Sequence, residues 1–404
     1  MKIKVKGRIR DLLAFRRLVP ERQKRFASAP VLSRGAAPIN QTAKQLHPTR
    51  QNLVVSQVRQ ETPTTRTFRL TADSVSGTSS LAPFRAGQYL SLKLELDGST
   101  ITRPYSISSA PFEAAGADGY YEITIRKNED GFLTPRIWEN WSAGTRIVSS
   151  EPTGLFYHEP LRDGRKLVGL AGGSGIAPFC SMAKEIVLGS MDASLLLLYG
   201  SVSREDIVFC DILSGLENEA PEKIRTVHVL SSGENAEGFE QGFITADLIR
   251  KTADVENSTF FICGPQAMYD FVFKELAQLN LPQRRIRSEV YGSTVHIEQA
   301  PGYPREVVGQ TFNLKVHIGG VTADITAAAG ESLLVAMERA GLAPPSSCRS
   351  GECGWCHSRL VSGEVYVHPE RDGRRAADKK YGWIHPCSSY PLTDLEISVP
   401  RSDR

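Results

Sequence analysis

Four of the seven cysteines in this chain fall between positions 348 and 387, and their spacing constrains the fold more than any other feature. Cys348, Cys353 and Cys356 read C-x4-C-x2-C, and Cys387 follows 31 positions later. Three thiols so close in sequence must converge from one tight loop, which Gly351 and Gly354 permit. Backbone N–H groups of such a loop can face inorganic sulfide, while the fourth ligand arrives from a separate element. This is the plant-type [2Fe–2S] spacing. Structural zinc is the rival, because it also takes four cysteines. Zinc ribbons, however, bring two C-x2-C knuckles, and only one is present. A Rieske centre uses two histidines; His357 and His385 are near, yet four cysteines already complete a set. Cys180, Cys210 and Cys263 are by default buried apolar thiols.

The remaining 300-odd positions have to supply whatever feeds such a centre. A length of 404 residues suggests two or three domains, each with its own core. Mean hydropathy is −0.24, and there is no uninterrupted run of ~18 apolar residues, so no transmembrane segment is expected. Seven cysteines are too sparse for a disulfide scaffold, and no secretory apolar region precedes them. A cytoplasmic location is therefore expected, with peripheral membrane contact as a variant of it. Charge is unevenly spread. Residues 1–50 carry 13 Lys and Arg against Asp11 and Glu21, a balance of +11 in a chain of net +3, which leaves the body at −8. A basic arm on an acidic body speaks about partners rather than fold.

Within the arm (1–49), KIKVKGRIR alternates as an exposed strand would, DLLAFRRLV predicts one short helix before Pro20, and ASAPVLSRGAAPINQ reads as a linker. From 50 to 160, short alternating runs such as LVVSQV, TRTFRL and YYEITIRK predict an antiparallel β-barrel or sandwich. From 161 to 294, apolar strands (KLVGLAG, SLLLLYG, IRTVHVL, STFFICG) alternate with helical stretches, which predicts a parallel sheet with covering helices. A polar, Pro-containing tether follows at 295–309. The last segment, 310–404, opens with a hairpin turning at Gly319-Gly320 and continues with the helix ESLLVAMERAG and the cysteine loop.

Four motifs lie on these elements. Arg103-Pro104-Tyr105-Ser106 follows a strand; its Arg can pair with a phosphate and its Tyr can cover a ring system. Taken alone, Tyr105 could equally be a core aromatic and Arg103 a surface cation. Gly131 and Thr134 combine a permissive glycine with a hydroxyl able to cap a helix and hold phosphate. Gly172-Gly173-Ser174-Gly175-Ile176-Ala177-Pro178 sits between a strand and a helix, where a glycine turn brings pyrophosphate to a helix N-terminus. A plain strand–helix turn would look the same. Cys263-Gly264-Pro265 ends an apolar strand, as does Tyr199-Gly200-Ser201, and open α/β sheets bind ligands at such ends.

In this order the motifs resemble the ferredoxin–NADP reductase superfamily, in the arrangement with a C-terminal ferredoxin, over about residues 50–400. The resemblance implies a flavin-binding barrel, an NAD(P)-binding α/β domain and an α+β, β-grasp [2Fe–2S] domain. It places Arg103, Tyr105 and Ser106 at the flavin ring and phosphate, and Gly131 and Thr134 at the flavin phosphates. Gly172 to Pro178 would hold the nicotinamide nucleotide, with Cys263, Gly264 and Pro265 beside the reacting nicotinamide carbon and Tyr291 of Glu289-Val-Tyr291 closing the site near the flavin. It says nothing about the arm.

The implied activity is that of an NAD(P)H-dependent electron-transfer reductase. A flavin is needed between a two-electron hydride donor and a one-electron cluster. No residue is required as general acid or base, and Cys263 is at most a positioning group. FAD is expected ahead of FMN. NADH is expected ahead of NADPH, because Ser231-Ser232-Gly233-Glu234 puts an acid where a 2′-phosphate would want a cation; Arg204 is the contrary residue. The expected partner is an acceptor metalloprotein: an oxygenase, demethylase or desaturase, with a hybrid-cluster protein as the alternative. The arm would dock an acidic acceptor, with an anionic membrane surface second; nucleic acid is not expected.

Overall fold

A computed structural model describes residues 9–29, 37–96, 98–129, 131–232, 237–292, 294 and 296–400. Residues 2–8 of the expected strand, 30–36 of the expected linker, and Gly233 and Glu234 lie outside them. The chain divides into two units, residues 1–45 and 46–404. The first is helical, with α1 at Ile9–Ala27 and α2 at Pro38–Leu46. Helix α1 corrects the sequence expectation twice. Ile9 and Arg10 are helical rather than extended, and the helix runs through Pro20 instead of ending before it. The straight-chain residues that follow (Glu21, Arg22, Gln23, Lys24, Arg25) favour helix strongly enough to resume it.

In the second unit, six strands form an antiparallel sheet: β1 Gln51–Thr62, β2 Thr65–Ala72, β3 Tyr89–Leu96, β4 Ser99–Ser106, β5 Tyr120–Arg126 and β6 Arg146–Ser149, in the order β4-β3-β6-β1-β2-β5. A bridge between Ile107 and Ile123 joins the two ends, so the sheet closes on itself as a barrel does. Alternation explains the closure. One face of each strand supplies Leu53, Val55, Phe68, Leu70, Leu90, Leu92, Tyr121 and Ile123, all buried in one core. The short helix α3, Thr134–Asn140, lies between β5 and β6.

The second sheet is fully parallel: β7 Lys166–Gly172, β8 Ser194–Ser201, β9 Ile224–Leu230, β10 Glu240–Gln241, β11 Ser258–Cys263 and β12 Ile286–Ser288. Helices α4 Ala177–Val187, α5 Cys210–Glu219, α6 Ala246–Thr252 and α7 Gln266–Ala277 connect the strands. Both faces bury apolar clusters, as a sheet covered on two sides requires. The strand order β10-β9-β8-β7-β11-β12 reverses direction at β7. Ligands of open α/β sheets bind at this switch point, outside the carboxyl ends of the strands. Those ends are Gly172 and Cys263.

The C-terminal sheet has the order β14-β13-β19-β15-β17, with β13 Thr311–Ile318, β14 Val321–Ala328, β15 Ser358–Ser362, β17 Trp383–Ile384 and β19 Leu395–Val399; a small pair, β16 Val365–Tyr366 and β18 Tyr390–Pro391, lies apart from it. The hairpin turns at Gly319-Gly320, and β13 pairs parallel to β19. Helix α8, Leu333–Arg339, is capped by Ser332 and packs Leu333, Ala336 and Met337 on the sheet. A second helix, α9, spans Ala376–Lys380. The tether is not a free linker, because Ile297 and Tyr303 are buried with Tyr366 and Tyr390 in a core of their own. Among the described residues, no helix is long and apolar enough to cross a membrane.

Candidate active site

The site forms where β4, β11 and the segment after β12 end together. Ser106 Oγ, at the end of β4, lies 2.9 Å from the Tyr291 hydroxyl. Tyr291 donates to the Glu289 carboxylate, and its ring meets Tyr89 edge-on at 5.6 Å. The Glu289 N–H donates to the Ile262 carbonyl at 3.2 Å, which ties this segment to the end of β11. Burial pushes the Glu289 carboxyl well above the usual carboxylate range. It also raises the Cys263 thiol and the Tyr291 phenol. Burial thus disfavours the charged form of all three groups around the point where the sheet delivers Cys263. Tyr105 packs against the barrel core, and burial pushes its phenol up to about 12.

At the switch point, Gly172 ends β7 and Gly173–Ile176 makes a single 3-10 turn before α4, with Pro178 in the first turn of that helix. Gly173 takes φ +52°, a left-handed value that glycine adopts at little cost. The Tyr199 hydroxyl holds the turn by donating to the Gly173 carbonyl at 3.0 Å. Gly175 packs directly on the Cys263-Gly264 backbone: a Cβ there would stand 2.3 Å from the Cys263 carbonyl oxygen. The turn and the Cys263-Gly264-Pro265 segment are thus one structure, lying next to Met268. Beyond them, near the carboxyl end of β9, His228 Nδ1 is buried without a hydrogen-bond partner. A polar atom orphaned at this end of the sheet fits a nucleotide, which would satisfy it. Arg204 is exposed nearby, with its guanidinium 5.8 Å from the Phe239 ring.

Arg103 meets neighbours that the motif does not suggest. Its guanidinium lies 3.9 Å from Glu338 Oε2 on α8, and the other carboxylate oxygen accepts from Arg349 Nη1 at 2.5 Å. Arg349 and Glu338 are almost fully buried. Burial, with Arg349 close by, pulls the Arg103 pKa down to about 10. Two guanidinium groups share one carboxylate, and the excess positive charge fits a flavin phosphate. Thr134 does not cap a helix as expected. It is the first residue of α3, and its hydroxyl is bonded within its own turn to Asn128, beside Gly131.

The four cluster cysteines do converge. Cys348 Sγ accepts from the N–H groups of Ser350 and Cys353, each at 3.4 Å, and Cys356 Sγ lies 3.3 Å from Cys387 Sγ. A hydrogen bond from Cys353 holds the Cys348 thiol far below its ordinary range. The loop needs positive φ at Arg349, Gly351 and Gly354. His385 Nδ1, 2.5 Å from the Gly351 carbonyl, braces it. Inward-pointing N–H groups and paired thiols fit a binuclear cluster. The loop rests on the barrel: Ser347 Oγ is 2.7 Å from Ser91 Oγ on β3, and Cys348 is close enough to Tyr89 to raise its phenol. Arg371 binds Gln266 and Asp270 at the start of α7, at 2.5 and 3.1 Å. Cys353 and Trp355 are the exposed residues of the cysteine loop besides Glu352.

Three family models match in the order the sheets occur. An oxidoreductase FAD-binding domain covers residues 52–158, an oxidoreductase NAD-binding domain 170–274, and a 2Fe-2S iron-sulfur cluster binding domain 316–392. The chain thus carries FAD-binding, NAD-binding and 2Fe-2S domains in that order, the arrangement that the resemblance to the ferredoxin–NADP reductase superfamily implies. Zinc is thereby replaced by the cluster. The reductase is 28% identical to the ferredoxin reductase component of 3-ketosteroid-9-alpha-monooxygenase from Rhodococcus rhodochrous, over 77% of this chain and 86% of that one. It is 27% identical to the NADH oxidoreductase HCR of Escherichia coli, over 85% and 96%. In fold it resembles phthalate dioxygenase reductase, with a TM-score of 0.61 and 23% identity over 87% of this chain and 98% of that one.

This reductase is accordingly an NAD(P)H-dependent flavin and iron–sulfur oxidoreductase whose cofactors are FAD, NADH and a [2Fe–2S] cluster. When bound, they convert a hydride into single electrons. The residues that seat the ferredoxin domain on the barrel (Ser91, Ser347, Glu338, Arg349) and on α7 (Arg371) carry no sequence signal. Ser91 and Ser347 are 256 positions apart, and each alone reads as an ordinary surface polar residue.

Proposed function

We propose that this chain is the reductase component of an oxygenase system, taking hydride from NADH and passing single electrons from its cluster to the oxygenase. The observation that carries this reading is the seating of the cluster loop on the flavin strands through Ser347–Ser91, with Arg103 of the barrel facing Glu338 of the ferredoxin domain. Trp355 of the same loop stays exposed, available to a partner. The oxygenase is favoured over a demethylase, a desaturase or a hybrid-cluster protein because a similar chain serves a monooxygenase.

In this reading Arg103, Gly131 and Thr134 hold the flavin phosphates, Tyr105 covers the flavin ring and Ser106 bonds its edge. Gly172, Gly173, Ser174, Gly175 and Pro178 receive the pyrophosphate of the nucleotide, and Gly200 and Ser201 its adenosine half. Gly264, Pro265 and the neutral Cys263 position the nicotinamide, with Tyr291 closing the ring site. Cys348, Cys353, Cys356 and Cys387 bind the cluster. No acid or base is needed, and burial disfavours charge on Cys263 and Glu289 beside the hydride path.

The test is NADH-driven reduction of cytochrome c, a one-electron acceptor, by the Cys348→Ala variant. It is expected to lose the cluster and at least about 90% of cytochrome c reduction, while keeping flavin-level dye reduction, because the barrel and the parallel sheet have their own cores. Unchanged cytochrome c reduction would remove the cluster from the electron path.

A further inference from the structure

Helix α1 carries a feature that electron transfer does not use. At 100° per residue, Phe15, Val19 and Phe26 fall on one narrow stripe bordered by Arg22, whose long side chain can keep its charge at the stripe's edge, and Arg17 and Lys24 fall on the opposite side. The stripe is bare: Phe15 is 69% exposed, Val19 50% and Phe26 78%. Its only acids are Asp11 and Glu21, while Arg16, Arg17, Arg22, Lys24 and Arg25 spread cations along most of its length. A lone helix of this size is marginal in water. Pro20 weakens it further by removing the hydrogen bond that the Arg16 carbonyl would accept. Such a helix gains its stability from whatever covers the stripe.

We propose that α1 is an interfacial helix that seats this reductase on an anionic lipid surface. Phe15, Val19 and Phe26 would enter the boundary between headgroups and acyl chains, and the cations would meet lipid phosphates. This departs from the sequence expectation that the arm docks an acidic acceptor. An acidic protein face would answer the charge and leave the aromatic stripe in water, whereas a lipid surface answers both and needs no matching pocket. The proposal does not depend on which acceptor the cluster serves.

The experiment is co-sedimentation of the full-length holoprotein, at physiological salt, with phosphatidylcholine vesicles with and without added phosphatidylglycerol. The full chain is expected to bind the anionic vesicles about tenfold or more tightly than the neutral ones, with a gain in helical circular dichroism; a chain lacking residues 1–45 is expected not to bind. Phe15→Glu/Phe26→Glu and Arg16→Glu/Arg17→Glu should each weaken binding about tenfold or more, since one removes apolar insertion and the other charge. NADH-to-dye turnover should be the same in every variant, which shows that the body is intact. Equal sedimentation of the full and truncated chains would overturn the proposal. So would undiminished binding by Phe15→Glu/Phe26→Glu, because that result would make the arm a purely electrostatic element.

Discussion

Replacing Gly175 with alanine tests whether the glycine turn and the Cys263 segment act as one nucleotide seat. The added Cβ would stand 2.3 Å from the Cys263 carbonyl oxygen, 2.6 Å from its carbon and 2.7 Å from Gly264 Cα. All three are backbone atoms, so no side chain can swing aside. Ordinary contact begins at about 3.4 Å, so the two turns must separate by roughly 1 Å. A misplacement of that size near reacting groups costs on the order of 100-fold, or about 2.7 kcal/mol of transition-state stabilisation. The expected result is a kcat/KM for NADH-driven dye reduction about 100-fold below wild type, with FAD content and dithionite reduction of the cluster unchanged. Gly215→Ala is the control. Its Cβ meets nothing within 4 Å on α5, so activity should hold and stability should rise by roughly 0.5–1 kcal/mol. A Gly175→Ala enzyme within threefold of wild type would refute the coupling of the two turns.

Two further outcomes follow from buried charge and from the far end of the nucleotide site. Glu289 has a folded-state pKa raised above 4.5, so its contribution to stability is complete below that pH and is lost as pH rises toward the folded value. Glu289→Gln should therefore flatten the fall in melting temperature between pH 4.5 and neutrality, and parallel profiles for the two proteins would refute the burial of the carboxyl. We also propose a kcat/KM ratio favouring NADH over NADPH, because Arg204 is exposed, with its guanidinium near the Phe239 ring; a clear NADPH advantage would show that Arg204 turns inward to a 2′-phosphate.

Local chemistry was legible in the sequence, and long-range chemistry was not. The cysteine loop, the Gly172–Gly175 turn and the Gly319-Gly320 hairpin each specify their geometry within a few residues, so composition and spacing predicted them. The Arg103–Glu338–Arg349 group joins three segments more than 200 positions apart at its extremes, and no local pattern marks it. The tether misled because its proline and polar content hide Ile297 and Tyr303, which find a core only once Tyr366 and Tyr390 arrive. In α1, a single proline was given more weight than the helix formers after it. Thr134 looked like a cap because a hydroxyl near a helix start usually is one, but here it stabilises the turn before the helix.

The central claim is that electrons pass from the nucleotide through the barrel to the cluster within one chain. Anaerobic rapid mixing with NADH, followed by absorbance and by freeze-quenched EPR, tests it most directly. The account predicts that flavin bleaching comes first and that the signal of a reduced [2Fe–2S] cluster then appears within the time of a single turnover. Flavin bleaching at full rate with the cluster still oxidised after many turnovers would contradict it.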